Sequence, residues 1–184
     1  LNDEEKKIII KAINFSNKAH KDQIRQSGDP YITHPIEVAK ILTTINLDAS
    51  AIAAGLLHDT IEDTHATYET IKGEFGQEVA DLVDGVTKIS VFENQAAANS
   101  KAENFRKLLL TLNDDIRVII IKIADRLHNM QTLSSMPEDK QVKIASETLY
   151  IFAPLSHRIG LYNIKTELED LSFKYTEPSS YESI

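Results

Sequence analysis

Four ionisable side chains fall within six residues, at His58, Asp59, Glu62 and Asp63, with no Lys or Arg between them. They close a segment otherwise built of Ala, Gly, Leu and Ile, so a helix is expected to present them from an apolar base. Helical spacing groups His58 with Glu62 on one face and Asp59 with Asp63 on the next. Carboxylates packed this closely repel one another, and a cation relieves the repulsion. Imidazole with carboxylate is a donor set that Mn, Fe or Zn accepts. The competing reading is a solvated acidic helix end. A helix dipole favours carboxylates at its N-terminus, whereas these lie toward the C-terminus, which favours the cation.

A second cluster is Asp125-Arg126-Leu127-His128-Asn129. Asp125 follows an apolar run, and a buried carboxylate needs compensation, from Arg126 or from a metal. His34, held between Thr33 and Pro35, opens a helix and carries the same two readings. His20, His65, His128 and His157 read as ordinary surface or hydrogen-bonded residues. No G-x-x-x-x-G-K-S/T loop, G-x-G-x-x-G turn or G-x-S-x-G elbow is present, so kinase and serine-hydrolase readings have no support.

The elements that must position these groups read as helices. Asn2 and Glu5 form a capping-box pattern before a helix reaching about His20. The turn-rich run from Arg25 to Tyr31 breaks it. Pro35 suits the first residue of a helix through Ile45. Asp48 or Ser50 caps the next, Ala51–Ile61. Thr67 opens a short helix ending at Gly76, and Gln77–Ile89 follows. Phe92–Ser100 reads as a loop. Helical periodicity resumes over Lys101–Leu112, Asp114–Leu133, Pro137–Ile159 and Asn163–Tyr175. Arg117–Ala124 alone has the β-favouring content of a buried strand. Leu127, Met130 and Leu133 continue the helical face, so helix is expected there. The expectation is one all-α domain over residues 1–177, with 178–184 as a tail or linker.

Composition narrows the function classes. The 184 residues carry 20 Lys+Arg against 28 Asp+Glu, a formal charge of -8. No run has more than two adjacent basic residues, which disfavours a nucleic-acid polymer as partner. Gly and Pro make 11 of 184 residues, about half their usual share, which favours helices over a turn-rich β-sandwich. Cysteine is absent, removing disulfides, thiolate metal sites and cysteine nucleophiles. Apolar runs such as Val118–Ile121 fall far short of the ~20 residues of a membrane span. A soluble, cytoplasmic protein without a membrane partner is expected.

With these residues in place, the sequence resembles a known family. His34-Pro35, then His58-Asp59 with Glu62-Asp63, then a distant Asp125, is similar to the pattern of HD-type metal phosphohydrolases. Longer blocks are more specific: Arg25-Gln-Ser-Gly-Asp-Pro-Tyr-Ile-Thr-His-Pro35, Gly55-Leu-Leu-His-Asp-Thr-Ile-Glu-Asp-Thr64, Glu103-Asn-Phe-Arg-Lys107 and Ile123-Ala-Asp-Arg-Leu-His-Asn-Met130. With Ala153-Pro-Leu-Ser-His-Arg-Ile-Gly160 and Glu167-Leu-Glu-Asp-Leu-Ser-Phe173, they resemble the hydrolase domain of the RelA/SpoT-homologue family. The likeness runs from about Ile13 to Tyr175.

The resemblance implies an all-α HD fold and Mn²⁺-dependent removal of pyrophosphate from the ribose 3′ position of ppGpp and pppGpp. It implies His34, His58, Asp59 and Asp125 as Mn²⁺ ligands, and Glu62 and Asp63 as the pair that activates water. Arg25, Ser27, Tyr31, Asn129 and Thr132 match positions lining the nucleotide pocket. Gln26 departs from the common family text, which has Lys, and removes a positive charge beside that pocket. The rivals are an HD phosphohydrolase of another nucleotide and a non-catalytic alarmone-sensing module. Tyr175-Thr-Glu-Pro-Ser-Ser-Tyr181 resembles linker text, which leaves two expectations: a fragment of a longer chain with a covalent synthetase domain downstream, or a naturally truncated hydrolase.

Overall fold

The structure, a computed structural model, describes residues 2–95 and 115–183, with the side chains of 92–95 outside the description. The described residues are helical, with an isolated β-bridge between Ile24 and Pro30. The all-α expectation is borne out. The chain divides into two compact units: Leu1–Arg25 with Asp29–Ala124, and Gln26–Gly28 with Asp125–Ile184.

The first unit is organised around an apolar helix. α1 (Asp3–Ala19) opens on the expected capping box: Asn2 Oδ1 accepts from the Glu5 amide at 2.9 Å, and Glu5 Oε2 accepts from the Asn2 amide at 2.6 Å. α2 (Thr33–Thr44) begins two residues before Pro35. The Thr33 and His34 amides donate to the Pro30 and Tyr31 carbonyls at 3.1 and 3.0 Å, which starts the coil early. Pro35 therefore sits in the third position, still within the first turn, where a missing N–H costs no intrahelical bond.

α3 (Ala49–Leu57) is capped by Asp48, whose Oδ1 accepts from the Ala51 amide at 2.8 Å. Every α3 residue except Ser50 is buried, the mark of a helix packed all round. It packs against α1, α2 and α6 (Gln77–Gln95). Gly55 makes the α2 approach close, since a Cβ there would lie 2.5 Å from Leu42 Cδ1. The cap is held from outside as well. The Arg117 guanidinium reaches Asp48 and Glu78 at 2.8 Å and Asp115 at 2.7 Å. Hydrogen bonding to Arg117 pulls the Asp115 carboxyl below its ordinary range.

The expected helix Ala51–Ile61 is interrupted. α3 stops at Leu57, and α4 (Thr60–Asp63) follows as a separate turn with Asp59 before it. Side chains take the carbonyls freed at the break: His58 Nδ1 lies 2.8 Å from Gly55 O, and Thr60 Oγ1 donates to Leu57 O at 2.6 Å. Glu62 and Asp63 thus stand in the first turn of their own short helix, so the dipole argument for the cation does not hold. α5 (Tyr68–Phe75) has the expected Thr67 cap and ends at Gly76. α6 continues past Ile89 to Gln95, so residues 92–95 of the expected loop are helical. The remainder of that loop, the expected helix Lys101–Leu112 and the Glu103–Lys107 motif lie outside the described residues. α7 (Ile116–Gln131) confirms helix over Arg117–Ala124.

The second unit holds the later part of α7, a 3-10 turn (Leu133–Ser135), α8 (Glu138–Glu147), α9 (Ala153–Arg158), α10 (Tyr162–Thr176) and a short α11 (Pro178–Tyr181). The single helix expected over Pro137–Ile159 widens into a π segment at Thr148–Phe152. Pro154 lacks the N–H that would return to residue 150, which favours a wider turn there. Leu127, Met130, Leu133, Phe152, Leu155 and Leu168 form the buried core.

The close approach at Gly55 predicts its own mutational signature. Gly55→Val should cost about 1–3 kcal/mol by overpacking. Gly73→Ala, in open space on α5, should gain about 0.5–1 kcal/mol. Urea unfolding of both variants checks this, and equal shifts would refute the packing argument.

Candidate metal centre

Two imidazoles and one carboxylate converge in the first unit. His34 and His58 are each 2% exposed. His34 is set by the first turn of α2 and His58 by the end of α3. Their Nε2 atoms lie 3.6 and 3.0 Å from the same oxygen, Asp59 Oδ2. One ligand atom from each of the three residues falls within 4.8 Å of the others. The two rings meet edge to face at 5.1 Å.

The donor chemistry fits a divalent cation. His58 Nδ1–H pointing at the Gly55 carbonyl fixes the neutral tautomer that carries its lone pair on Nε2. That lone pair then faces a carboxylate oxygen, an arrangement a shared cation turns from repulsive to attractive. A backbone carbonyl holding the outer nitrogen is the usual support for a ligating histidine.

The acid pair lies one turn on. Asp63 Oδ2 and Asp59 Oδ2 both receive the Tyr31 phenol, at 3.1 and 2.6 Å. Glu62 approaches a buried pair from other helices: Ser90 of α6 and Lys122 of α7, whose Nζ donates to Ser90 Oγ at 2.9 Å. Partial withdrawal from water pushes the Glu62 carboxyl above its ordinary range, reinforced by Asp63 and Asp59 and opposed by Lys122 and a Ser90 hydrogen bond. A raised carboxylate is a better proton acceptor near neutrality.

The remaining expected site residues are placed as follows. Arg25 belongs to the first unit, where its amide donates to Asp29 O at 2.9 Å, closing a turn around Gln26–Gly28. Ser27, Asp125, Asn129 and Thr132 belong to the second unit. There Asp125 is 5% exposed and accepts from Asn129 Nδ2 at 2.7 Å. Arg126 stacks over Phe152 at 4.3 Å and lies 3.9 Å from Glu147, so it serves α8 and the π segment. Thr132 Oγ1 donates to His128 O at 3.1 Å.

Sequence reasoning missed Lys122 and Ser90. The signal was available, since Lys122 is the one charge inside the run Val118–Ala124. His20, expected as a surface or hydrogen-bonded residue, is the latter: it is 3% exposed, its Nδ1 pairs with Gln23 Oε1 at 2.8 Å, and its ring stacks on Tyr31 at 4.4 Å.

A sequence profile described as an HD domain matches residues 12–162. The chain belongs to the HD-domain family. A Myxococcus xanthus protein named GTP pyrophosphokinase is 55% identical over 95% of the chain and 23% of its own length. A Haemophilus influenzae protein named guanosine-3′,5′-bis(diphosphate) 3′-pyrophosphohydrolase is 52% identical over 91% of the chain and 25% of its own length. The HD domain thus spans about a quarter of the curated relatives it matches, and its expected kinship with RelA/SpoT homologues is borne out. Among solved structures, a metazoan orthologue of SpoT described as hydrolysing ppGpp superposes with a TM-score of 0.68, at 24% identity. It covers 92% of this HD domain and 96% of its own chain, and shows the fold. No described helix is long and apolar enough to cross a membrane.

The raised Glu62 predicts a pH signature in the metal-free HD domain. The folded state holds this proton to higher pH than the unfolded chain does. Stability is therefore lost as pH rises from the ordinary carboxylate range through the raised value. Glu62→Gln removes that loss. In chelator, its melting temperature should match wild type near about pH 4 and exceed it near about pH 8. An advantage equal at both pH values would contradict this.

Proposed function

We propose that this HD domain removes pyrophosphate from the 3′ position of ppGpp and pppGpp, yielding GDP or GTP. The observation that carries the reading is the cluster of buried His34 and His58 with half-buried Asp59, and Glu62 and Asp63 one turn on. Names alone do not decide, because similar stretches occur in a relative named for synthesis and in one named for hydrolysis. The retained donor and acid sets favour hydrolysis.

In this reading His34, His58, Asp59 and Asp125 hold Mn²⁺. Two carboxylates with two neutral imidazoles match a divalent charge. When bound, such an ion supplies Lewis-acid stabilisation at the phosphoryl group and lowers the pKa of water from 15.7 toward about 7. Glu62, raised above its ordinary range, accepts the proton of the attacking water, and Asp63 orients that water. The water oxygen joins the phosphorus bonded to O3′, the P–O3′ bond breaks, and O3′ leaves carrying a proton. Arg25 offers a planar cation to guanine or phosphate. Ser27, Tyr31, Asn129 and Thr132 line the nucleotide site. The hydrolase domain is taken as residues 1–177.

An alarmone-sensing module without turnover would have no use for the Glu62–Asp63 pair, and a hydrolase of another nucleotide would use the same ligands on a different base. Labelled ppGpp incubated with and without Mn²⁺ separates these readings. GDP and pyrophosphate are expected only with metal, and the double variant Glu62→Gln, Asp63→Asn should bind nucleotide while losing at least about 100-fold in turnover. Binding of ppGpp without products, or equal turnover of unrelated nucleotides, would reject the proposal.

A further inference from the structure

The Tyr31 phenol donates toward Asp59 Oδ2 at 2.6 Å and Asp63 Oδ2 at 3.1 Å, so one hydrogen faces two carboxylates of the same turn. The oxygen on Asp59 is the one that faces both imidazoles. The tyrosine is itself held. Its ring stacks on the buried His20 ring at 4.4 Å with 23° between planes, and its amide donates to Gln23 O at 3.0 Å. His20 Nδ1 pairs with Gln23 Oε1 at 2.8 Å, and Gln23 Nε2 donates to the Asp63 carbonyl at 2.9 Å. The end of α1 and the loop after it are thereby tied to α4 at two points, once through the Tyr31 side chain and once through Gln23.

We propose that Tyr31 is a positioning residue for the metal centre: clamped by His20 and Gln23, its phenol fixes the ligand oxygen of Asp59 and ties Asp63 beside it. This role of the phenol oxygen is additional to the place of Tyr31 beside the nucleotide proposed above. A carboxylate oxygen has two lone pairs, so the phenol occupies one and leaves the other aimed at the imidazoles. Partners that orient ligands in this way commonly change metal affinity 10- to 100-fold when removed. The kinetic part rests on the hydrolase reading above, whereas the metal part does not.

The test is calorimetric titration of Mn²⁺ into the metal-free protein without nucleotide, followed by ppGpp kinetics at saturating Mn²⁺. Tyr31→Phe keeps the stacked ring and should weaken Mn²⁺ binding about 10-fold or more, and lower kcat with KM unchanged. His20→Ala should reproduce part of the affinity loss, and His20→Phe, which restores a stacking ring, should recover it. Unchanged Mn²⁺ affinity in a folded Tyr31→Phe, or a rise in KM alone, overturns the proposal. Should Tyr31→Phe not fold, unchanged affinity in His20→Ala overturns it instead. If wild type binds Mn²⁺ but leaves ppGpp intact, the hydrolase reading fails while the affinity comparison still decides the role of Tyr31.

Discussion

The site depends on holding two buried imidazoles against one half-buried carboxylate. With the rings neutral, as metal ligands must be, nitrogen lone pairs and a carboxylate at 3.0 and 3.6 Å repel one another. A divalent ion reverses the sign. Much of the surrounding architecture serves to hold His34, His58 and Asp59 in place. α3 is buried on every side and fixed at its start by Asp48 and Arg117. His58 at its end therefore has little freedom, and the Gly55 carbonyl removes its choice of tautomer.

The break between α3 and α4 gives the site its division of labour. A continuous helix would have carried all four ionisable groups on one rigid rod. The break lets His58 and Thr60 consume the freed carbonyls and sets Asp59 between two helical turns. Glu62 and Asp63 then stand beside the cluster. Glu62 meets Ser90 and Lys122, and Asp63 meets Tyr31. Each acid has its own partner, so the two differ in environment despite being adjacent in sequence.

Much of this was legible from residue types. The Asn2, Asp48 and Thr67 caps are local side-chain to backbone bonds, and local chemistry reads well from sequence. The density of charge at His58–Asp63 pointed to a candidate cation site, and two of those residues, with His34, do converge. What was not legible came from distant contacts. Nothing near Glu62 in sequence points to Ser90, 28 positions on, or to Lys122, 60 positions on. The early start of α2 and the interruption of α3 depend on which carbonyls find partners, and periodicity cannot resolve that.

The central claim is that His34, His58 and Asp59 hold a divalent ion. Titrating Mn²⁺ into metal-free protein by calorimetry, in wild type and in folded Asp59→Asn, tests it most directly. The account predicts saturable binding of one ion in wild type, weakened at least about 10-fold by the substitution. No saturable binding in wild type, or equal affinity in Asp59→Asn, would contradict it.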